Sequence, residues 1–151
     1  MNRMFTVIGL MSGTSLDGVD AAVIRTDGER IEGFGPDLSL PYPAALRQRA
    51  RKILDKAATL SPDSPELKAV EHEITRYHVD ATRQLQALVP EVDLIGFHGQ
   101  TILHAPDHHH TWQIGDAQLL SRATGLAVIH DFRSADVAAG GEGAPLVPWF
   151  H

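Results

Sequence analysis

Cysteine is absent from all 151 residues. No disulfide framework and no thiolate chemistry can operate here, and a reducing compartment, the cytoplasm, is the natural expectation. Lysine is scarce: Lys52, Lys56 and Lys68 are the only ones. All three fall on segments that read as helix, away from the glycines, so no Gly-rich loop is completed by a Lys-Ser/Thr pair and the Walker A design is excluded. Positive charge is the minority sign, with 13 Lys+Arg against 19 Asp+Glu and a net charge of -6. Sequence-independent nucleic-acid binding needs a basic surface, so nucleic acid is not expected as a partner. No apolar run approaches the roughly 18 residues that a membrane span needs, and no signal-peptide pattern opens the chain, so no membrane partner is expected either. What remains is ordinary for a globular domain: 43% hydrophobic and 21% charged residues.

The most informative segment lies near the amino terminus. Val7 to Met11 is an apolar run of strand length, and Val19 to Ile24 is another. Between them, Ser12 to Asp17 carries three hydroxyls, one glycine and one carboxylate. Glycine lets backbone N–H groups approach phosphate oxygens, hydroxyls donate to them, and a carboxylate can hold a Mg²⁺-bound water. The same residues also suit an ordinary hairpin turn.

Asp27-Gly28 marks a tight turn, and Ile31 to Leu40 reads as a third strand, which gives an antiparallel meander. From Ala44 to Ala58, Leu46, Ala50, Ile53, Leu54 and Ala57 recur at helical spacing, leaving Arg47, Arg49, Arg51 and Lys52 as a solvated face. Ser64-Pro65-Glu66 has the makings of a helix start: an N-cap hydroxyl, proline at the first position and a carboxylate at the positive end of the dipole. Leu67, Val70, Ile74, Tyr77, Ala81, Leu85 and Leu88 then form one stripe, either core or a coiled-coil seam. His72 and His78 lie off the i, i+4 geometry of a helical metal pair and read as surface or boundary residues.

After Pro90, Asp93 to His98 reads as a buried strand that delivers Gly99-Gln100-Thr101 at its carboxyl end, where ligands sit in α/β sheets. Thr101 to His104 and Thr111 to Ile114 pair as a hairpin, Asp116 caps a short helix to Thr124 with Gly125 beyond it, and Leu126 to His130 is a further buried strand, reached by a right-handed parallel crossover. His104 and His108 to His110 crowd the hairpin; without a carboxylate frame they read as a solvated loop rather than a metal site. Arg133 with Asp131 and Asp136 suits either substrate contacts or an internal ion pair. A Ser12, His98, Asp131 hydrolase is the rival, although no Gly-x-Ser-x-Gly elbow occurs.

Gly9 to Asp20, Gly96-Phe97-His98-Gly99-Gln100-Thr101, Gln113-Ile114-Gly115-Asp116, Asp131-Phe132-Arg133 with Asp136-Val137-Ala138, and Gly140 to Pro148 together closely resemble the anhydro-N-acetylmuramic acid kinase family. The resemblance runs from residue 7 to the last residue in the family's order. It implies an α/β fold, a ribonuclease-H-like ATPase lobe with an antiparallel strand meander followed by parallel strands and crossover helices. The superfamily is that of acetate and sugar kinases, actin and heat-shock ATPases, whose two lobes close on ATP. It implies hydrolytic opening of 1,6-anhydro-N-acetylmuramic acid and transfer of the γ-phosphoryl group of ATP to O6, in peptidoglycan recycling, with Mg²⁺. By the same resemblance Gly13, Thr14, Ser15, Leu16, Asp17, Gly18, Val19 and Asp20 form the ATP loop, with Asp17 at the metal, and His98, Gln100, Thr101, Arg133 and Asp136 serve the amino sugar. A homodimer of the full-length protein is the oligomeric expectation.

Family members are longer, and their general base, an aspartate in a Gly-x-Asp-x-Gly-Pro segment of the second lobe, has no counterpart here. Residues 1–151 are accordingly expected to be the N-terminal lobe alone, with no catalytic base of its own. Leu146, Val147, Trp149 and Phe150 are expected to present apolar surface that a second lobe would cover.

Overall fold

The computed structural model describes residues 2–144; the expectation for Leu146 to Phe150 falls outside them. β1 (Phe5–Ser12), β2 (Gly18–Thr26) and β3 (Ile31–Pro41) form the antiparallel meander, with Leu10 opposite Ala21 and Val19 opposite Leu40. Alternation sets the faces: Ile8, Leu10 and Ser12 are buried while Gly9 and Met11 are exposed. The β2–β3 turn is closed by Asp27, whose carboxylate accepts from Glu29 and Arg30 N–H groups, bonds that hold its pKa below the usual carboxylate range.

Two helices follow, α1 (Ala44–Lys56), prolonged by a short 3₁₀ turn, and α2 (Pro65–Leu88). Ser64 caps α2 by accepting from the Leu67 N–H at 3.4 Å, and Pro65 stands at its start. The stripe is core rather than coiled coil. Leu67, Val70, Ile74, Ala81 and Leu85 pack with Ile8, Val19, Ile95 and Phe97 of the sheet in one cluster. Two expectations are corrected. Leu88, at the last position, is 66% exposed, whereas His78 is fully buried, because 78 stands four residues after Ile74 and three before Ala81 on the buried face.

β4 is a single strand, Leu94–Ala105, where the sequence suggested two. Its first part runs parallel to both β1 and β6 (Ala127–His130), and its second part pairs antiparallel with β5 (His110–Ile114). The sheet order is β3-β2-β1-β4-β5, with β6 also on β4. α3 (Ala117–Thr124) connects β5 to β6 and packs on α2, and α4 (Ser134–Ala138) follows β6. A meander leading into parallel strands linked by helices is the α/β lobe expected from the sequence.

Asp116 caps α3 as read, accepting from the Leu119 N–H at 2.9 Å, and Gly125 closes it in the left-handed conformation at φ 74°. Replacing Asp116 by alanine is expected to lower unfolding free energy by about 1 kcal/mol. Urea denaturation checks this, and an unchanged midpoint would contradict the capping role.

Candidate functional site

Parallel β1, the first half of β4 and β6 end at the same edge of the sheet, so the loop after β1, the irregularity in β4 and the turn after β6 gather there. The first of these is the Ser12 to Asp17 loop. It is anchored at both ends by Tyr42: the phenol bonds Ser12 Oγ at 2.8 Å, and the Tyr42 N–H donates to the Asp17 carbonyl at 2.9 Å. Its middle is held by Leu16, 1% exposed, which takes the left-handed conformation at φ 61° to drop its side chain into the core. Thr14, Ser15 and Asp17 remain exposed.

The two glycines of this loop differ in kind. A Cβ on Gly18 would collide with the Leu40 carbonyl and Pro41, so Gly18 is demanded by the approach of β3. A Cβ on Gly13 would meet only Ser15 Oγ, at 3.9 Å, and Gly13 is not in the left-handed region. Among the described residues nothing requires glycine at 13. The open space beside it is compatible with a backbone cradle for phosphate oxygens.

Beside the loop lies a cavity of about 520 Å³ lined by Gly13, Ser15, Asp17, Gly18 and Asp20. Asp20 accepts a hydrogen bond from Ser39 at 2.6 Å, while the exposed Asp17 carboxylate has no partner among the described residues. Val19 is fully buried and its side chain belongs to the core. No group of three metal-ligating side chains occurs among the described residues. A single carboxylate beside phosphates suits Mg²⁺, which keeps several waters and takes few protein ligands. The histidine-rich hairpin forms no such group either, and His104 Nδ1 meets Thr111 Oγ1 at 3.0 Å.

The second cavity, about 240 Å³, is lined by His98, Gly99, Gln113, His130, Asp131 and Ser134 among others. His98 Nδ1 meets the Gly99 carbonyl at 3.1 Å and therefore carries the proton, which leaves Nε2 as an acceptor; it is buried without a partner among the described residues. Burial foremost, then the Arg133 charge, holds the His98 pKa below its ordinary value. Arg133 makes no ion pair among the described residues, and its Nε is buried and unpartnered. Asp131 lines the cavity at φ 60°.

The remaining sugar-side expectations are distributed otherwise. Gln100 is fully buried: Oε1 receives Ser12 Oγ at 2.5 Å, and Nε2 donates to the Gly13 and Thr101 carbonyls. Thr101 is 9% exposed and accepts from Gln113 Nε2 at 3.2 Å. Asp136 accepts from the Gly143 N–H at 2.8 Å and lies close against Gly141, so it shapes the glycine turn. The cause is a bulge. Leu10 pairs with Phe97 but Ser12 with Gln100, two residues on β1 against three on β4, so His98 and Gln100 part to opposite faces. Gly99, at φ 80°, carries the bulge, and a Cβ there would strike the Ile114 carbonyl. The hydrolase rival is not assembled, since Ser12 is engaged by Gln100 and Tyr42, and no hydrogen bond joins it to His98 or Asp131. Tyr42 was missed by sequence reasoning; the Pro41-Tyr42-Pro43 break was its only signal.

Comparison with known proteins gives the family. The sequence model of the anhydro-N-acetylmuramic acid kinase family matches residues 5–151. Relatives described as anhydro-N-acetylmuramic acid kinase include those of Gluconobacter oxydans, 58% identical over 98% of this chain and 42% of the relative, and Acidiphilium cryptum, 58% identical over 95% and 39%. That of Nitrobacter winogradskyi is 48% identical over 98% and 42%. An exopolyphosphatase-like crystal structure superposes on 88% of this chain and 34% of its own with a TM-score of 0.45 at 13% identity, too distant to bear on function. The chain spans about two fifths of the length of the curated relatives it matches. The family model covers nearly all of this chain, and the chain belongs to the anhydro-N-acetylmuramic acid kinase family.

Proposed function

We propose that residues 1–151 are the N-terminal lobe of a two-lobed, ATP-dependent kinase of 1,6-anhydro-N-acetylmuramic acid. The product is N-acetylmuramic acid 6-phosphate, and the role is peptidoglycan recycling in the cytoplasm. Among the described residues no helix is long and apolar enough to cross a membrane. The observation that carries the reading is the shared sheet edge: an open, pinned loop after β1 and a polar cavity beside the β4 bulge and β6.

In this reading the backbone of Gly13 to Gly18 and the Thr14 and Ser15 hydroxyls hold the phosphates of ATP. Mg²⁺, when bound, neutralises phosphate charge, with Asp17 holding one of its waters. His98 Nε2 accepts from a sugar hydroxyl, and Arg133 offers charge beside it. Water adds across the anhydro bridge as O6 is freed and takes the γ-phosphoryl group, leaving ADP. The base that receives the proton of water belongs to the second lobe, as the family resemblance implies. Gln100, Thr101 and Asp136 act from behind, shaping the surfaces that touch ligand.

The test is a protein of the relatives' full length incubated with the anhydro sugar, Mg²⁺ and ATP, followed by mass spectrometry for the 6-phosphorylated sugar and by ADP release. Both products are expected together. Ring opening without ATP would instead establish a hydrolase, and ADP release no faster than without sugar would remove the kinase reading.

A further inference from the structure

Ser12, Tyr42 and Gln100 come from β1, the entry to α1 and β4, yet their polar atoms meet in one buried knot under the loop. Their proton order follows from chemistry alone. Gln100 Oε1 can only accept, so Ser12 donates its single hydroxyl proton there, at 2.5 Å. Tyr42 must then be the donor to Ser12 Oγ, at 2.8 Å. Gln100 Nε2 passes the chain on, donating to the Gly13 carbonyl at 3.2 Å and the Thr101 carbonyl at 3.1 Å. Burial pushes the Tyr42 pKa up to about 12, so the donor keeps its proton at every working pH.

Three of these links end on the loop or its flanks. Tyr42 holds Ser12 through its phenol and Asp17 through its backbone N–H, the two ends of the loop, while Gln100 holds Gly13, the residue with open space around it. The ring itself is held separately, edge-on to Tyr77 at a centroid distance of 5.4 Å. Packing and hydrogen bonding at Tyr42 are therefore separable by one atom.

We propose that the Tyr42 hydroxyl, acting through Ser12 and Gln100, is a positioning group for the phosphate loop, and that Gln100 serves the nucleotide side rather than the sugar. The proposal rests on the kinase reading for its kinetic consequence. Its structural consequence, that the loop amides are held in place from below, stands without it. A fully satisfied buried network favours one arrangement of the groups it joins, and removing the first donor leaves Ser12 and Gln100 free to exchange partners.

Tyr42→Phe keeps the ring and deletes only the donor; Ser12→Ala deletes the relay. In a protein of the relatives' full length, each is expected to raise the KM for ATP about tenfold, as losing a buried hydrogen bond does, with the KM for the sugar within about twofold of the parent. In the 151-residue chain itself, hydrogen exchange is expected to quicken at the amides of Gly13 to Asp17 while those of α2 stay as protected as in the parent. Loop and α2 amides quickening together, or an unchanged loop, would overturn the proposal and leave Tyr42 as core. If the full-length parent shows no ATP-dependent turnover, the kinase reading fails, and the exchange experiment alone decides the loop.

Discussion

Gly13→Val is expected to raise the KM for ATP about 10- to 100-fold in a protein of the family's full length, because a side chain forced into an occupied space costs about 1–3 kcal/mol. The structure makes this variant unusually clean. Gly13 is not in the left-handed region, and among the described residues a Cβ there would meet only Ser15 Oγ, at 3.9 Å, so the folded chain accommodates the new Cβ. Thermal unfolding of the variant should match the parent within a degree or two, which separates a ligand effect from a folding effect. Gly18→Ala gives the contrast: its Cβ meets the Leu40 carbonyl, so it should destabilise whether or not nucleotide is present. Normal ATP kinetics in a well-folded Gly13→Val protein would return the loop to an ordinary hairpin.

Acid should destabilise the fold through His78. The ring is fully buried, its Nδ1 donates to the Ile74 carbonyl at 2.8 Å, and its Nε2 has no partner among the described residues, with Phe97 edge-on at a centroid distance of 5.0 Å. Burial foremost lowers its pKa from 6.5 to about 4; the Ile74 hydrogen bond opposes the shift, and His98 adds a smaller lowering. A histidine depressed in the folded state contributes its full stability above the unfolded value of 6.5. That stability is lost as pH falls from 6.5 toward 4, because the unfolded chain takes up a proton that the folded one refuses. The depression is worth about 3 kcal/mol. His78→Leu, which leaves the Ile74 carbonyl in its helical hydrogen bond, should flatten this part of the profile. Denaturation of both proteins from pH 7.5 to 4 isolates the difference from carboxylates common to the two, and equal slopes would show that the ring is charged or solvated in the native state.

His78 also shows where reading from sequence stops. Its position on the buried face of α2 follows from helical spacing, yet a polar residue there reads as boundary until the sheet beneath it is seen to exclude water. Leu88 is the converse, an apolar residue in register that stands exposed at the last position of α2. The caps at Ser64 and Asp116, the meander and the hairpin at Thr111 were all legible because short-range chemistry decides them.

The amino-acid sequence by itself determined the family, the order of the elements and the glycine-bearing loop, since each depends on residues adjacent in the chain. Tertiary structure alone decided which side chains face which cavity. Strand alternation places His98 and Gln100 on one face, and the extra residue at Gly99 moves Gln100 through the sheet to Ser12, 88 positions away. It likewise brought Tyr42 under the loop. Pairing register and burial are properties of several strands at once, so no local pattern encodes them.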